Sequence, residues 1–261
     1  KPTGSWLIGD GGSNTYQGGA GNDTFIVTGS DDPANVHSGG GEDTLVITGT
    51  MGMMVNMAQM GMTIAEGGQG SDVIMSGGRA GVYIKGGSGT ELLIGGAGTD
   101  VIMGGSGHNT IIGGTGQAVI YAGPNGDLIY GAKGNSVINA GGGKDTIIAG
   151  AGDDVIKVGM GNANIDGGGG TNIAQFHGSY GDYQITKTAD GYWISDKVTN
   201  RDGTVFITNV QKLNFADIQA VDLSLPNAMP VADILTVDKN GNAFERTQSH
   251  LISASQLIAN D

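Results

Sequence analysis

The side chains able to do chemistry in this chain are mostly oxygen donors at regular intervals. Asp72, Glu91, Asn109, Asp127 and Asp145 follow one another at near-equal steps, Asp100 and Asp154 fall between them, and Asp23 and Asp43 stand at a similar spacing nearer the N-terminus. Asp and Glu total 25 against 12 Lys and Arg, a formal net charge of −13. That balance argues against nucleic acid and anionic membranes as partners and suits cations, or simply solubility. Cysteine is absent, which excludes a disulfide framework and a zinc-thiolate site. A protein exported without disulfides needs another staple, and a bound metal is the usual one. His37, His108, His177 and His250 are scattered without paired metal-ligand spacing. Gly143-Lys144-Asp145 approaches a phosphate-loop pattern, but the Ser/Thr is missing and no helix pattern follows. No catalytic constellation emerges, and the expectation is a chain that is not itself an enzyme.

What positions the acidic residues is a repeat. Glycine fills 52 of 261 positions, far above the usual ~7%. So much glycine fits either disorder or a fold that uses it at fixed turns. Gly95–Met103 read GGAGTDVIM, Gly67–Met75 read GGQGSDVIM and Gly18–Ile26 read GGAGNDTFI. From Gly77 to Gln175 the frame runs through eleven nonapeptides, and position eight is Ile84, Leu93, Ile102, Ile111, Ile120, Ile129, Ile138, Ile147, Ile156, Ile165 and Ala174. A disordered linker would not keep an apolar residue at every ninth place. The pattern G-G-x-G-x-D-x-U-x, with U a large apolar residue, resembles the calcium-binding nonapeptide of RTX (haemolysin-type) proteins. That resemblance implies an all-β fold, a parallel β-roll or β-solenoid with two nonapeptides per coil. Positions one to six form a turn, and positions seven to nine a short strand with U inward.

In the RTX family the position-six carboxylate and turn carbonyls of one loop hold Ca2+ together with the loop stacked one coil away. On that basis one edge carries Asp72, Glu91, Asn109, Asp127, Asp145 and Ala163. Ser76 is the inserted residue that stretches its first step. Asp127 with Asp145 is the clean pair, Asp72 with Glu91 a second, and Asn109 brings an amide oxygen without charge. The other edge carries Val82, Asp100, Ala118, Ser136, Asp154 and Asn172. Asp100 and Asp154 there lack acidic neighbours and read either as ligands or as solvated turn residues. Asp23 and Asp43 should stack if the insertion Val27–His37 loops out. Calcium is expected mainly on the Asp72-to-Asp145 edge, with the Asp23/Asp43 pair as a further candidate.

Residues 1–175 thus read as the β-roll, regular over 77–175 and irregular over 27–66. The irregular part carries Met51, Met53, Met54, Met57, Met60 and Met62, either a soft-metal or partner site or filler where coils lack calcium loops. Outward positions such as Val119, Val137, Ile112, Tyr130 and Ile148 are apolar enough to suggest a protein or cell-surface partner, or ordinary strand propensity. Residues 176–225 change composition and resemble the segment that follows RTX repeats in large secreted bacterial proteins, from Asp182-Tyr183 to Leu213-Asn214-Phe215-Ala216-Asp217. They are expected to form a small C-terminal β cap. Residues 226–261 begin as a linker at Pro226 and Pro230. Their closing Leu257-Ile258-Ala259-Asn260-Asp261 resembles the opening of a cadherin-like or Ig-like domain. Asp238-x-Asn240-Gly241-Asn242 reads as a hairpin turn before a calcium loop.

The opening Lys1-Pro2-Thr3 is not a signal peptide and suggests a piece of something longer. No apolar run approaches a membrane span of ~18 residues. The functional expectation is a calcium-binding structural module, secreted or at the cell surface, that folds on extracellular calcium within a large type I secreted bacterial protein. The alternatives are an adhesion module using its outer faces, or an accessory region of a secreted enzyme such as a haem peroxidase or alginate epimerase. Ice binding is set aside because turn position three lacks a threonine array (Ser88, Ala97, Ser106, Thr115, Pro124, Lys133). Asp32-Pro33 is a labile bond, but nothing around it matches a self-cleaving module.

Overall fold

The structure is a computed structural model that describes residues 3–78 and 81–224. The chain divides into two units, Lys1–Asp222 and Leu223–Asp261. The repeat region and the strands beyond it form the first. The linker and domain expected over 226–261, with the Asp238–Asn242 turn, lie outside the described residues.

Aliphatic triplets set between glycine turns form strands of three to five residues, and these stack into two parallel sheets. One sheet has 12 strands and the other 10, and consecutive strands alternate between them from Thr44–Thr48 to Ile173–Gln175. Within a sheet each strand pairs with the one a full coil away. Ile102 registers with Ile84 on one side and Ile120 on the other, and Ile111 with Leu93 and Ile129. The inward residue of every coil is therefore stacked on its own equivalent, and Ile84, Leu93, Ile102, Ile111, Ile120 and Ile129 are all fully buried. The all-β, parallel β-roll expectation holds.

Each coil from Tyr83 onward takes two nonapeptides, as the register Tyr83↔Val101↔Val119↔Val137 shows. Nearer the N-terminus the coils are longer, since Thr24 pairs with Thr44 and Thr44 with Ile64. The first of these coils carries a 3-10 turn, Pro33–Asn35, and its Val36–His37 strand pairs with Tyr16–Gln17 of the coil before. Val27 and Thr28, assigned above to the insertion, stay in the sheet and pair with Ile47 and Thr48. In the methionine-rich coils a one-turn helix, Met57–Met60, is capped by the Asn56 side chain on Gln59 N and ends at left-handed Gly61. Met53, Met57, Met60 and Met62 are buried, while Met51 and Met54 face solvent. The buried four fill the space that regular turns occupy elsewhere.

Glycine is required where turns stack. A Cβ on Gly107 would lie 1.6 Å from the Gly89 carbonyl oxygen, one coil away. Gly105 adds a φ of 96° to a similar clash with Gly87 O. Only a residue without a side chain allows this approach and the positive φ together.

Beyond Gln175 the chain extends both sheets. Thr204–Thr208 joins the 10-stranded sheet parallel to Ala163–Asp166, and Lys212–Asn214 joins the 12-stranded sheet parallel to Ile173–Gln175. Antiparallel strands Tyr183–Lys187, Tyr192–Asp196 and Val221–Asp222 then pair onto these. Phe176, Tyr180, Tyr183 and Phe215 pack at centroid distances of 5.1 to 5.3 Å over the C-terminal end of the core. A solenoid exposes apolar surface at its ends, and aromatic rings cover more of it per residue than aliphatics.

Candidate metal centres

Period-two alternation decides where the acidic residues point. Positions six and eight lie two apart and face the same way, so the position-six side chain enters the corner of the coil instead of hanging from the turn. Asp23, Asp43, Asp72, Glu91, Asp100, Asn109, Asp127, Asp145 and Asp154 are all buried. Asp100 and Asp154 are fully enclosed, which removes the solvated-turn reading for both.

Most of these side chains accept a hydrogen bond from the main-chain N–H of their counterpart one coil earlier. On the 10-stranded sheet Asp72 N donates to Glu91 Oε2 (2.6 Å), Glu91 N to Asn109 Oδ1 (3.0 Å), Asn109 N to Asp127 Oδ1 (2.6 Å) and Asp127 N to Asp145 Oδ1 (2.8 Å). On the other sheet Val82 N donates to Asp100 Oδ1 (3.0 Å), Ser136 N to Asp154 Oδ1 (2.6 Å) and Asp154 N to Asn172 Oδ1 (3.0 Å). Asp23 N donates to Asp43 Oδ1 at 2.7 Å, so this pair does stack across the insertion. The structure places all nine residues on ladders that follow the two edges.

The second oxygen separates them. In Asp23, Asp72 and Asp100 it accepts the N–H of the second glycine of the same turn, from Gly19, Gly68 and Gly96. In Asp43, Glu91, Asp127 and Asp154 it is buried without a partner. Orphaned oxygens thus occur on both edges, not on one alone. A buried carboxylate is costly unless paired or bound to metal, and the ion pairs found among the described residues lie elsewhere, at Glu66–Lys85 and around Arg201 and His177.

Electrostatics follow from this burial. Loss of solvation, reinforced by the neighbouring Asp127 charge, pushes Asp145 up to about 7. Burial likewise takes Asp154 to about 6 and raises Asp127 and Glu91. Asp23, held by Gly19 and Ser5 N–H groups, moves the opposite way. The carboxylates with orphaned oxygens at Glu91, Asp127 and Asp154 are therefore among those that give up a proton reluctantly.

Hard oxygens in negatively charged surroundings fit calcium, which takes six to eight oxygen ligands. Among the described residues no three His, Asp or Glu side chains converge on one point, so the remaining oxygens at any such seat must come from turn carbonyls and water. A family model for the RTX calcium-binding nonapeptide repeat matches the chain in four stretches, residues 8–45, 85–120, 121–156 and 144–174. Residues 8–45 and 85–174, just under half of the chain, are thus similar to the RTX calcium-binding repeat. The matches leave out residues 46–84, where the methionine-rich coils replace regular RTX turns, although the well-formed Asp72 loop lies there too. No curated protein matches the chain. RTX repeats mark calcium-binding structural modules of secreted bacterial proteins, and no helix among the described residues is long and apolar enough to cross a membrane.

Two buried carboxylates escaped sequence reasoning because they lie outside the RTX frame. Asp31 accepts from Tyr16 OH (2.7 Å), Thr28 N (2.8 Å) and Thr28 Oγ1 (3.0 Å). Asp202 accepts from His177 N (2.8 Å) and Tyr183 OH and lies 2.6 Å from His177 Nδ1. Both are saturated with donors, and the half-exposed His177 ring is held against Asp202. Beside Asp202, Arg201 clamps Asp196 through two nitrogens and also reaches Asp182.

Proposed function

We propose that this RTX module folds around extracellular calcium and serves as a non-catalytic, stabilising section of a large secreted bacterial protein that leaves the cell by type I secretion. The observation that carries this reading is that, among the described residues, buried carboxylate oxygens at Asp43, Glu91, Asp127 and Asp154 have no partner. Calcium, when bound, supplies the positive charge that offsets their burial. Asp127 and Asp145 hold the stacked turns in register through the N–H to Oδ1 bond. Asp72 and Glu91 do the same nearer the N-terminus. Without the ion, ordering glycine-rich turns costs ~1–2 kcal/mol per residue in entropy, while each inward aliphatic residue returns only ~1.5–3 kcal/mol per nonapeptide. The balance tips when millimolar calcium meets sites of the extracellular class, with dissociation constants of roughly 10⁻⁴ to 10⁻³ M.

Circular dichroism with and without a calcium chelator tests this. The expected result is a gain of β signal on adding millimolar calcium and its loss on chelation. A fully folded, calcium-indifferent chain would remove the proposal.

A further inference from the structure

We propose that the outer face of strands Tyr183–Lys187, Tyr192–Asp196 and Thr204–Thr208 binds a neutral oligosaccharide, with Trp193 as the residue on which a sugar ring stacks. Trp193 is 42% exposed in the middle of this sheet. It lies opposite Phe206 in antiparallel register, with ring centroids 4.8 Å apart and planes tilted by 43°. A cross-strand aromatic pair stabilises a sheet through the surface the two rings share. The uncovered part of the indole contributes nothing to that and leaves apolar area in water at ~25 cal/mol per Å².

The surroundings select the ligand. Thr186 stands opposite Trp193 on one side, and Asn164 of the adjoining solenoid strand registers with Phe206 on the other. Gln184 and Ser195 pair in the next row. These groups offer hydrogen-bond donors and acceptors without charge. In a chain of net charge −13, the outward positions of these strands and of Ala163–Asp166 carry one charged side chain, Asp166. Its Oδ1 already accepts from Gly168 N (2.9 Å) and Asn209 Nδ2 (2.7 Å). An anionic ligand would find no cation on this face, and nucleic acid is repelled by the chain as a whole. A pyranose has an apolar ring face for the indole and neutral hydroxyls for Thr186, Gln184 and Asn164.

The face continues into the rest of the 10-stranded sheet, where Thr146 registers with Asn164 and keeps the row uncharged. Its central strands are hydrogen-bonded on both sides and pre-organised, so binding there costs little ordering entropy.

The test uses the whole chain in calcium, with Trp6→Phe leaving Trp193 as the one tryptophan. Cellohexaose, maltohexaose and β-1,4-galactohexaose are titrated by fluorescence and calorimetry, with hexagalacturonate as the anionic control. The expected outcome is a saturable change in Trp193 emission with at least one neutral hexaose and none with the uronate. Trp193→Ala, checked for an unchanged circular dichroism spectrum, should weaken binding by roughly tenfold or more. Thr186→Glu, at an exposed position, should do so without removing the ring. The proposal is overturned by no saturable change with any neutral hexaose, by stronger binding of the uronate, or by binding that survives both substitutions. It is equally overturned if Trp193→Ala alters the sedimentation of a self-associated chain, since the face would then be a protein contact.

Discussion

Asp127 N donates to Asp145 Oδ1 at 2.8 Å across one full coil, while the Oδ2 of Asp127 stays buried without a partner. The same residue is thus a rung of the main-chain ladder and an open ligand. Asp100 fills the corresponding place on the other sheet, but both its oxygens are taken, by Val82 N and Gly96 N.

That contrast predicts different calcium behaviour. Asp127→Ala should lower the stoichiometry in calorimetric titration, whereas Asp100→Asn should leave it unchanged. Equal losses for the two would mean that partnered and orphaned oxygens bind alike.

Asn109 occupies a rung as a neutral amide, with its Nδ2 donating to Gly107 O at 3.1 Å, and Asn172 makes three such bonds. Asp127→Asn should accordingly raise the stability of the metal-free protein by about 1 kcal/mol, the net worth of one hydrogen bond. It should also abolish the calcium response of that coil. Chemical denaturation in chelator, then in calcium, measures both.

The pH dependence of the metal-free protein follows from Asp145 and Asp154. Their folded-state values of about 7 and about 6 lie above the ordinary 3.8, so the folded chain binds more protons than the unfolded chain between pH 4 and those values. Stability is present at low pH and is lost as pH rises through that window. Thermal melts in chelator should give a higher Tm at pH 5 than at pH 8, and calcium should flatten or reverse the trend. A Tm that rises toward pH 8 in chelator would contradict the burial argument.

Gly107→Ala should destabilise by about 1–3 kcal/mol through overpacking, because its Cβ meets Gly89 O, a main-chain atom. Gly181→Ala, with open space around it, should stay within about 0.5 kcal/mol. Paired denaturation curves in calcium decide this.

Asp202→Ala strips the acceptor from Tyr183 OH and His177 N at the C-terminal end. Faster hydrogen exchange confined to residues 176–222 is expected, with the RTX coils unchanged.

The repeat frame, the parallel coil and the inward aliphatic row were legible in the residues, because a nonapeptide period with an apolar eighth position has few other physical outcomes. Asp127 and Asp145 were readable as a stacked pair for the same reason. The helix at Met57–Met60 was not, since the sequence there exchanges turn glycines for methionines and the coil lengthens, with Thr44 pairing with Ile64. Nor could spacing separate Asp100 from Asp154. Both sit at position six with no acidic neighbour one coil away.

By itself the sequence determined the period, the strand content, the acidic ladders and the kind of ion they suit, because these depend on local spacing. The tertiary structure decided which carboxylate oxygens are satisfied, because their donors come from turn N–H groups fixed only when the coils close. It also decided that Trp193 faces outward among uncharged neighbours. That depends on strands from Asn164 to Thr186 being laid side by side, a relation that no stretch of sequence contains.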